Sequence, residues 1–499
     1  VGKLVLNGDQ LSLNDIYNVS YNDVKVEISK DAEERVKKSR QVLFDMAAEG
    51  KPVYGLNRGV GWNKDKEFDE AFFETYNRNL LNSHSLGVEP YHPEEQVRAI
   101  LLIRLNKALT GHTGISADLL DHYRDFLNYK IHPRVPMRSS IGEGDITTLS
   151  HIGLAFIGEE EVTYNGRIMN SKEAMDLVGM KPARLGPKDG LSIVSCNAQG
   201  EAMTAILLRE IKDIIDMSTL VFCLSLEGLN GVIEQLREDV NGVRGIRGQS
   251  YVARQCREYL EGSFLYDYDP ERALQDPLSF RCAHAIHGAM YEAMDYVENQ
   301  LNTTMNTTDD NPCIITEENS SFVSANFEVT SLAIGVEMLA TSLSHLSKSS
   351  CYRMIKLADP EFTKLNRFLT PKEVETIAYG TIQKTFTMLD TQNRGLANPS
   401  SMDFYSLAGT IEDHASNLPL AAYKIFQMLD NIRYIIGIEA MHAVQAIDLR
   451  GNTKLGNGTK VAYEIIREVV PFYDKDRNIS KDIKKAYELI KSKKLLKRN

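Results

Sequence analysis

Residues able to do acid–base chemistry fall in a few short, glycine-marked stretches of this 499-residue chain. Tyr54-Gly55-Leu56-Asn57-Arg58-Gly59-Val60-Gly61-Trp62 places a phenol and the only tryptophan in one loop. Its glycines tolerate positive φ and let backbone approach a ligand closely, the pattern of a pocket wall. Ser140-Ile141-Gly142-Glu143-Gly144-Asp145 brackets one carboxylate, Glu143, between two glycines just before a helical segment that starts near Asp145. No metal chemistry is expected. The histidines lack HxxxH-type spacing, and the Asp309-Asp310 pair alone is a weak signal. Cys196, Cys223, Cys256, Cys282, Cys313 and Cys351 are scattered without a CxxC pair, so they read as buried free thiols of a reducing cytoplasm.

The elements that must position these residues are mostly helices. Lys3-Leu4-Val5-Leu6 and Val24 to Ile28 read as short strands, and Asp31 starts a helical pattern that runs to Gly50. Long helical patterns follow over Glu201 to Leu236, Ser331 to Leu357, Pro371 to Leu389 and Ser406 to Val444. Together they predict a mainly α fold, a long central helix bundle with a small loop-rich N-terminal part. We divide the chain into a loop-rich part (1–200), the bundle (201–450) and a C-terminal helical segment (451–499). In the last, Ile483, Tyr487, Ile490 and Leu495 fit one side of a basic amphipathic helix.

With 43% hydrophobic and 25% charged residues the composition is that of an ordinary globular protein. A net charge of −11 argues against nucleic-acid or acidic-membrane partners. No apolar run is long enough for a membrane span, and the first residues lack the apolar core of a signal peptide.

A series of motifs in order resembles the histidine and aromatic ammonia-lyase superfamily. It comprises Val53 to Asn57, Asn79-Leu80-Leu81-Asn82-Ser83-His84, His132 to Pro136 with Leu149 to Gly153, and Gln275 to Cys282. Asp310-Asn311-Pro312, Asn326-Phe327, Glu412-Asp413-His414 and Ala446 to Arg450 complete it. The resemblance implies the lyase fold, a homotetramer with shared active sites, and a small amino-acid-like substrate. In that superfamily an Ala-Ser-Gly tripeptide before an Asp cyclises into an electrophilic methylidene-imidazolone that captures the substrate amine. Here the Ala position is Glu143, only Gly144 separates it from Asp145, and the Ser is gone. Leu278 stands where a second tyrosine is usual, and Gly190 to Asn197 replaces a Leu-Asn-Gly-Thr stretch, so the Asn that helps the loop is moved or lost. No prosthetic group is therefore expected.

Elimination without that electrophile needs a nitrogen that is already a good leaving group. A quaternary trimethylammonium departs as a neutral amine; a betaine of a histidine-like amino acid meets this condition, and the resemblance implies it as the substrate class, with trimethylamine as product. On the resemblance, Tyr54 is the base that takes the β-proton, Arg281 forks the carboxylate, and Lys384 stabilises charge pushed into a sulfur-bearing ring. Glu412, on a long helix, meets the ring or shuttles a proton, and His84 meets the ring or Tyr54. Asn82, Asn311 and Phe327 belong to pocket segments. Trp62 offers its face to the trimethylammonium group. Glu143 either caps the helix near Asp145 or faces the substrate cation. Two other readings stay open: an ammonia-lyase-like enzyme for another amino acid or for hercynine, and an inactive amino-acid-binding or regulatory paralogue.

Overall fold

The computed structural model describes residues 2–60, 63–67, 72–371, 375–403, 405–451 and 453–496, and the chain is predominantly helical as expected. Its contacts define two compact units, each discontinuous in sequence. The first comprises 1–207, 297–336 and 399–423; the second comprises 208–296, 337–398 and 424–499. The division at 200 and 450 is by contrast sequential.

In the first unit the strands Lys3–Leu6 and Lys25–Ile28 pair in parallel, Lys3 opposite Lys25 and Leu6 opposite Ile28. Ser29, whose hydroxyl accepts from the Ala32 amide, starts the helix Lys30–Ala48. The helix Glu94–Ala108 is buried on every side from Gln96 onward. Such a helix is normally apolar all round, yet it carries Arg98, Arg104 and Lys107. Phe73–His84 packs on Ile146–Phe156 and on Asp189–Val194. These elements hold the loops described below.

In the second unit a buried ion pair ties long helices together. Arg353, on Thr330–Leu357, grips Glu439, on Leu418–Arg450, with Nε–Oε1 at 2.5 Å and Nη2–Oε2 at 2.8 Å. Ser225, on Ala198–Leu229, donates to the same carboxylate at 2.8 Å, so the buried charge is fully engaged. The C-terminal helix Ser480–Lys491 buries Ile483, Tyr487 and Ile490, and Leu495 beyond it is buried as well, as its amphipathic pattern required.

Two expected helices differ. Pro371 to Leu389 yields a helix only at Gln383–Leu396, and Ser406 to Val444 only from Leu418. Ala378, Ala408, Gly409, Thr410 and Asn417 adopt φ of 46°, 48°, 64°, 71° and 50°, which no α-helix accommodates. Glu412 consequently lies in a loop and not on a long helix. No helix among the described residues is long and apolar enough to cross a membrane. All six cysteines are free, and all but Cys282 are buried.

Candidate active site

The Gly142–Asp145 loop is pinned from several directions. Ser140 Oγ donates to Asp145 Oδ1 at 2.6 Å and accepts from the Gly142 amide at 3.1 Å. Asp145 Oδ2 accepts from the Gly200 amide at 3.0 Å. The Asp145 carboxyl is fully buried, and burial pushes it up to about 6 against these hydrogen bonds. Ser416 Oγ donates to the Gly142 carbonyl at 2.8 Å, and the Asn417 amide donates to the Ile141 carbonyl at 2.8 Å. Gly142 has φ +83°, and a Cβ there would lie 2.3 Å from Ser416 Oγ, so only glycine fits.

Glu143 is thereby presented at the tip of a rigid turn. It does not cap the following helix: Asp145 is the N-cap residue of Ile146–Phe156, and no side chain bonds there. Its carboxyl is half-buried and pushed up to about 7, chiefly by that burial. His414 opposes the shift, while Glu412, Glu328 and Asp413 add to it, so these groups gather around Glu143. Glu412 exchanges backbone hydrogen bonds with Leu407, which fixes the loop just before His414. His414 Nε2 stands 3.2 Å from Glu328 Oε1.

Asn197 connects three segments beneath the loop. Its Oδ1 accepts from the Gly144 amide at 3.0 Å, its Nδ2 donates to the Phe327 carbonyl at 2.6 Å, and its amide donates to Asp309 Oδ2 at 2.8 Å. Asn197, at the end of the Gly190 to Asn197 stretch, thus supports this loop. Phe327 enters the site through its backbone. Asn311 accepts from the Ser324 amide at 3.0 Å, a bond that closes the turn around the Cys313–Ile315 and Ser320–Phe322 strands.

Below Asn197 lies a buried charge network. Lys107 Nζ is 2.7 Å from both Glu201 and Asp309, and Arg104 is 3.2 Å from Asp310. Thr113 adds a 2.7 Å hydrogen bond to Asp310. The Asp309-Asp310 pair is thus neutralised by a guanidinium and an ammonium, and no group of metal-ligating side chains is found among the described residues. Lys107→Met leaves Glu201 and Asp309 buried without that ammonium. We expect it to cost about 3–5 kcal/mol of stability, read as a lower urea midpoint at unchanged slope; a loss under ~1 kcal/mol would contradict this account of the network.

Tyr54 is half-buried in its loop. The Val53 carbonyl accepts from the amides of Leu56, Asn57 and Arg58, and the Val53 amide donates to Asn57 Oδ1 at 2.7 Å. Gly55, at φ +75°, leaves no room for a Cβ, which would lie 2.4 Å from Leu191 Cδ2. Burial raises the Tyr76 phenol, and Tyr54 is near enough to add to that push. Trp62 lies outside the described residues. His84 closes the helix Phe73–His84, with Nδ1 donating to the Leu80 carbonyl at 2.8 Å. Asn82 donates to the Arg78 carbonyl of its own helix at 3.0 Å and is exposed; no contact brings it to the Glu143 group.

Arg281 and Lys384 belong to the second unit. Arg281 ends the short helix Leu278–Arg281 and bonds Gln275 Oε1. Asp276 nearby accepts from the Val232 amide at 2.7 Å, and burial pushes its carboxyl up to about 6. Leu278 is 60% exposed. Lys384 is exposed on the helix Gln383–Leu396, in an open groove with Gln383, Thr387, Met388 and Thr391.

Residues 11–468 match the family profile for aromatic amino acid lyases. The chain belongs to the aromatic amino acid lyase family. Histidine ammonia-lyase of Geobacillus sp. (strain WCH70) is 34% identical over 489 residues, 98% of this chain and 96% of the other. A crystal structure of the ergothioneine-degrading enzyme ergothionase from Treponema denticola, in complex with desmethyl-ergothioneine sulfonic acid, shares 81% identity. It covers 99% of this chain and 100% of that one at a TM-score of 0.98. Histidine ammonia-lyase from Trypanosoma cruzi aligns at 26% identity and a TM-score of 0.88, over 99% and 94% of the two chains.

This aromatic amino acid lyase is a carbon–nitrogen lyase. Its site holds residues that sequence reasoning passed over. Glu328 sits directly after the quoted Asn326-Phe327 pair, and His414 ends the quoted Glu412-Asp413-His414 triplet, yet neither was assigned a role. For the lyase's buried network the available signal was Arg104 and Lys107 inside an otherwise apolar helical run. Such charges sit in a buried helix only when partnered.

Proposed function

We propose that this lyase eliminates trimethylamine from ergothioneine, the 2-thiohistidine betaine, to give thiourocanate, and that it does so without the methylidene-imidazolone group. The observation that carries the substrate is the full-length likeness to Treponema denticola ergothionase. The absence of the prosthetic group is supported by the loop itself. Between Gly142 and Asp145 stand only Glu143 and Gly144, and the nearby Ser140 is committed to Asp145. These residues do not fit the Ala-Ser-Gly condensation, so no step runs through that group.

In the proposed reaction the Tyr54 phenolate takes the β-proton, and the bonding pair moves into the thioimidazole ring. It then returns to form the Cα–Cβ double bond as the Cα–N bond breaks and trimethylamine leaves with its electron pair. Arg281 holds the carboxylate, Lys384 meets the developing charge on the ring, and Glu412 binds the ring or carries its proton. Glu143, among further carboxylates, faces the quaternary ammonium, to which Trp62 offers a ring face. His84, whose Nδ1 is engaged by the Leu80 carbonyl, meets the substrate ring or the Tyr54 hydroxyl through Nε2. We also propose a cytoplasmic homotetramer with shared active sites, checked by light scattering of the purified protein.

The deciding experiment supplies ergothioneine, hercynine and L-histidine separately and scores trimethylamine, ammonia and near-ultraviolet absorbance of a conjugated thiourocanate. Turnover of ergothioneine alone is expected. Ammonia from L-histidine would restore an electrophile-dependent reading. Silence on all three from folded protein would favour a binding or regulatory role.

A further inference from the structure

We propose that Glu328 and His414 are positioning residues: their ion pair latches the 405–417 segment across the Glu143 loop and so sets the place of Glu412. This rests on the reading of Glu143 and Glu412 as parts of the lyase site.

The segment has a hinge and an anchor. Ala408, Gly409 and Thr410 all have positive φ, so the chain turns sharply just before Glu412. At the other end Ser416 and Asn417 are fixed to the carbonyls of Gly142 and Ile141. Between hinge and anchor, His414 Nε2 reaches Glu328 Oε1 at 3.2 Å. Glu328 is itself well seated. Its two oxygens accept from the Thr330 amide at 3.0 and 3.1 Å, and Oε1 also accepts from the Thr330 hydroxyl at 2.5 Å. That ties the receiving half of the latch to Thr330, the first residue of the 28-residue helix Thr330–Leu357, while the other half sits on a loop.

The charges facing His414 come from both neighbouring elements: Glu328 from the helix start, and Glu143 from the glycine loop, with Glu412 and Asp413 beside His414 on its own segment. Burial alone would push the Glu328 carboxyl up, but hydrogen bonds from Thr330 and His414 outweigh it and hold it below the usual range. Glu328 is thereby kept ionised where it meets the His414 ring.

The test uses the full-length protein with Glu328→Gln, His414→Gln, the double variant and His414→Arg. Two readouts are followed from pH 5.5 to 8.5: kcat and KM on ergothioneine, and hydrogen–deuterium exchange of peptides spanning 405–417. Either single Gln variant is expected to lower kcat about 3–10-fold at pH 6 with a smaller change in KM, and to speed exchange of the segment. The double variant should be no worse than either single one, and His414→Arg, which keeps a donor cation opposite Glu328, should restore much of the kcat and exchange protection lost in His414→Gln. Additive single effects, or exchange that is indifferent to both Gln variants, would overturn the latch. If exchange responds as stated but no betaine is turned over, the latch stands and the substrate assignment falls.

Discussion

Tyr54→Phe is expected to lower kcat on ergothioneine by about 10³-fold, within the range that loss of a positioned proton acceptor costs. The change removes one oxygen and leaves in place the Val53 backbone bonds, Asn57 and Gly55 that build the turn. KM should move little, because in the proposed reaction Arg281 and the groups around Glu143 bind the substrate independently of Tyr54. The measurement is steady-state release of trimethylamine beside a thermal melt that confirms an intact fold. A kcat within about fivefold of wild type would assign the base elsewhere, and a melt lowered by several degrees would mean that the hydroxyl serves the loop and not the reaction.

Arg281→Met should reduce kcat/KM by about 10²–10³-fold, mostly through KM. The reasoning is that two charge-assisted hydrogen bonds to a carboxylate, each of about 1.5–3 kcal/mol, are lost, with overlap between them. Arg281→Lys should recover only part of this, because an ammonium is a point charge without the planar fork. A lysine variant with wild-type kcat/KM would show that charge alone suffices. The guanidinium donates to Gln275 Oε1, so Gln275→Ala tests whether that contact orients it.

Much of the helical framework was legible from apolar spacing. The pattern over Ser331 to Leu357 corresponds to the helix Thr330–Leu357, and Asp31 to Gly50 to the helix Lys30–Ala48. Spacing misled where tertiary bonds captured the backbone. Leu407, Ile411 and Ala415 repeat every four residues, but the hydrogen bonds of Ser416 and Asn417 to the Gly142 loop leave 406–417 no helical path. The helix starts only at Leu418, beside Pro419, a residue suited to a helix's first turn.

Local motifs exposed Tyr54, Glu143 and Glu412, since each stands within a short recognisable stretch. The supports were not readable, because their partners are remote. Lys107 and Glu201 are 94 positions apart, and Gly144 and Asn197 are 53 apart. Periodicity reports which face of an element is buried; it carries no information on which distant charge will meet it there.

The fastening of Gly142–Asp145 also bears on how this protein tolerates change. Asn197, Gly200, Ser416 and Asn417 reach one short turn from separate stretches of chain. Substitutions at these positions are therefore expected to be strongly non-additive, since the first to loosen the turn removes what the others act on. Inheritance at this site works in blocks: a variant acceptable at Ser416 depends on what already stands at 142 and 197. Inserting a single residue to lengthen the turn would meet all of these constraints at once, so a longer loop is expected to require several coordinated replacements.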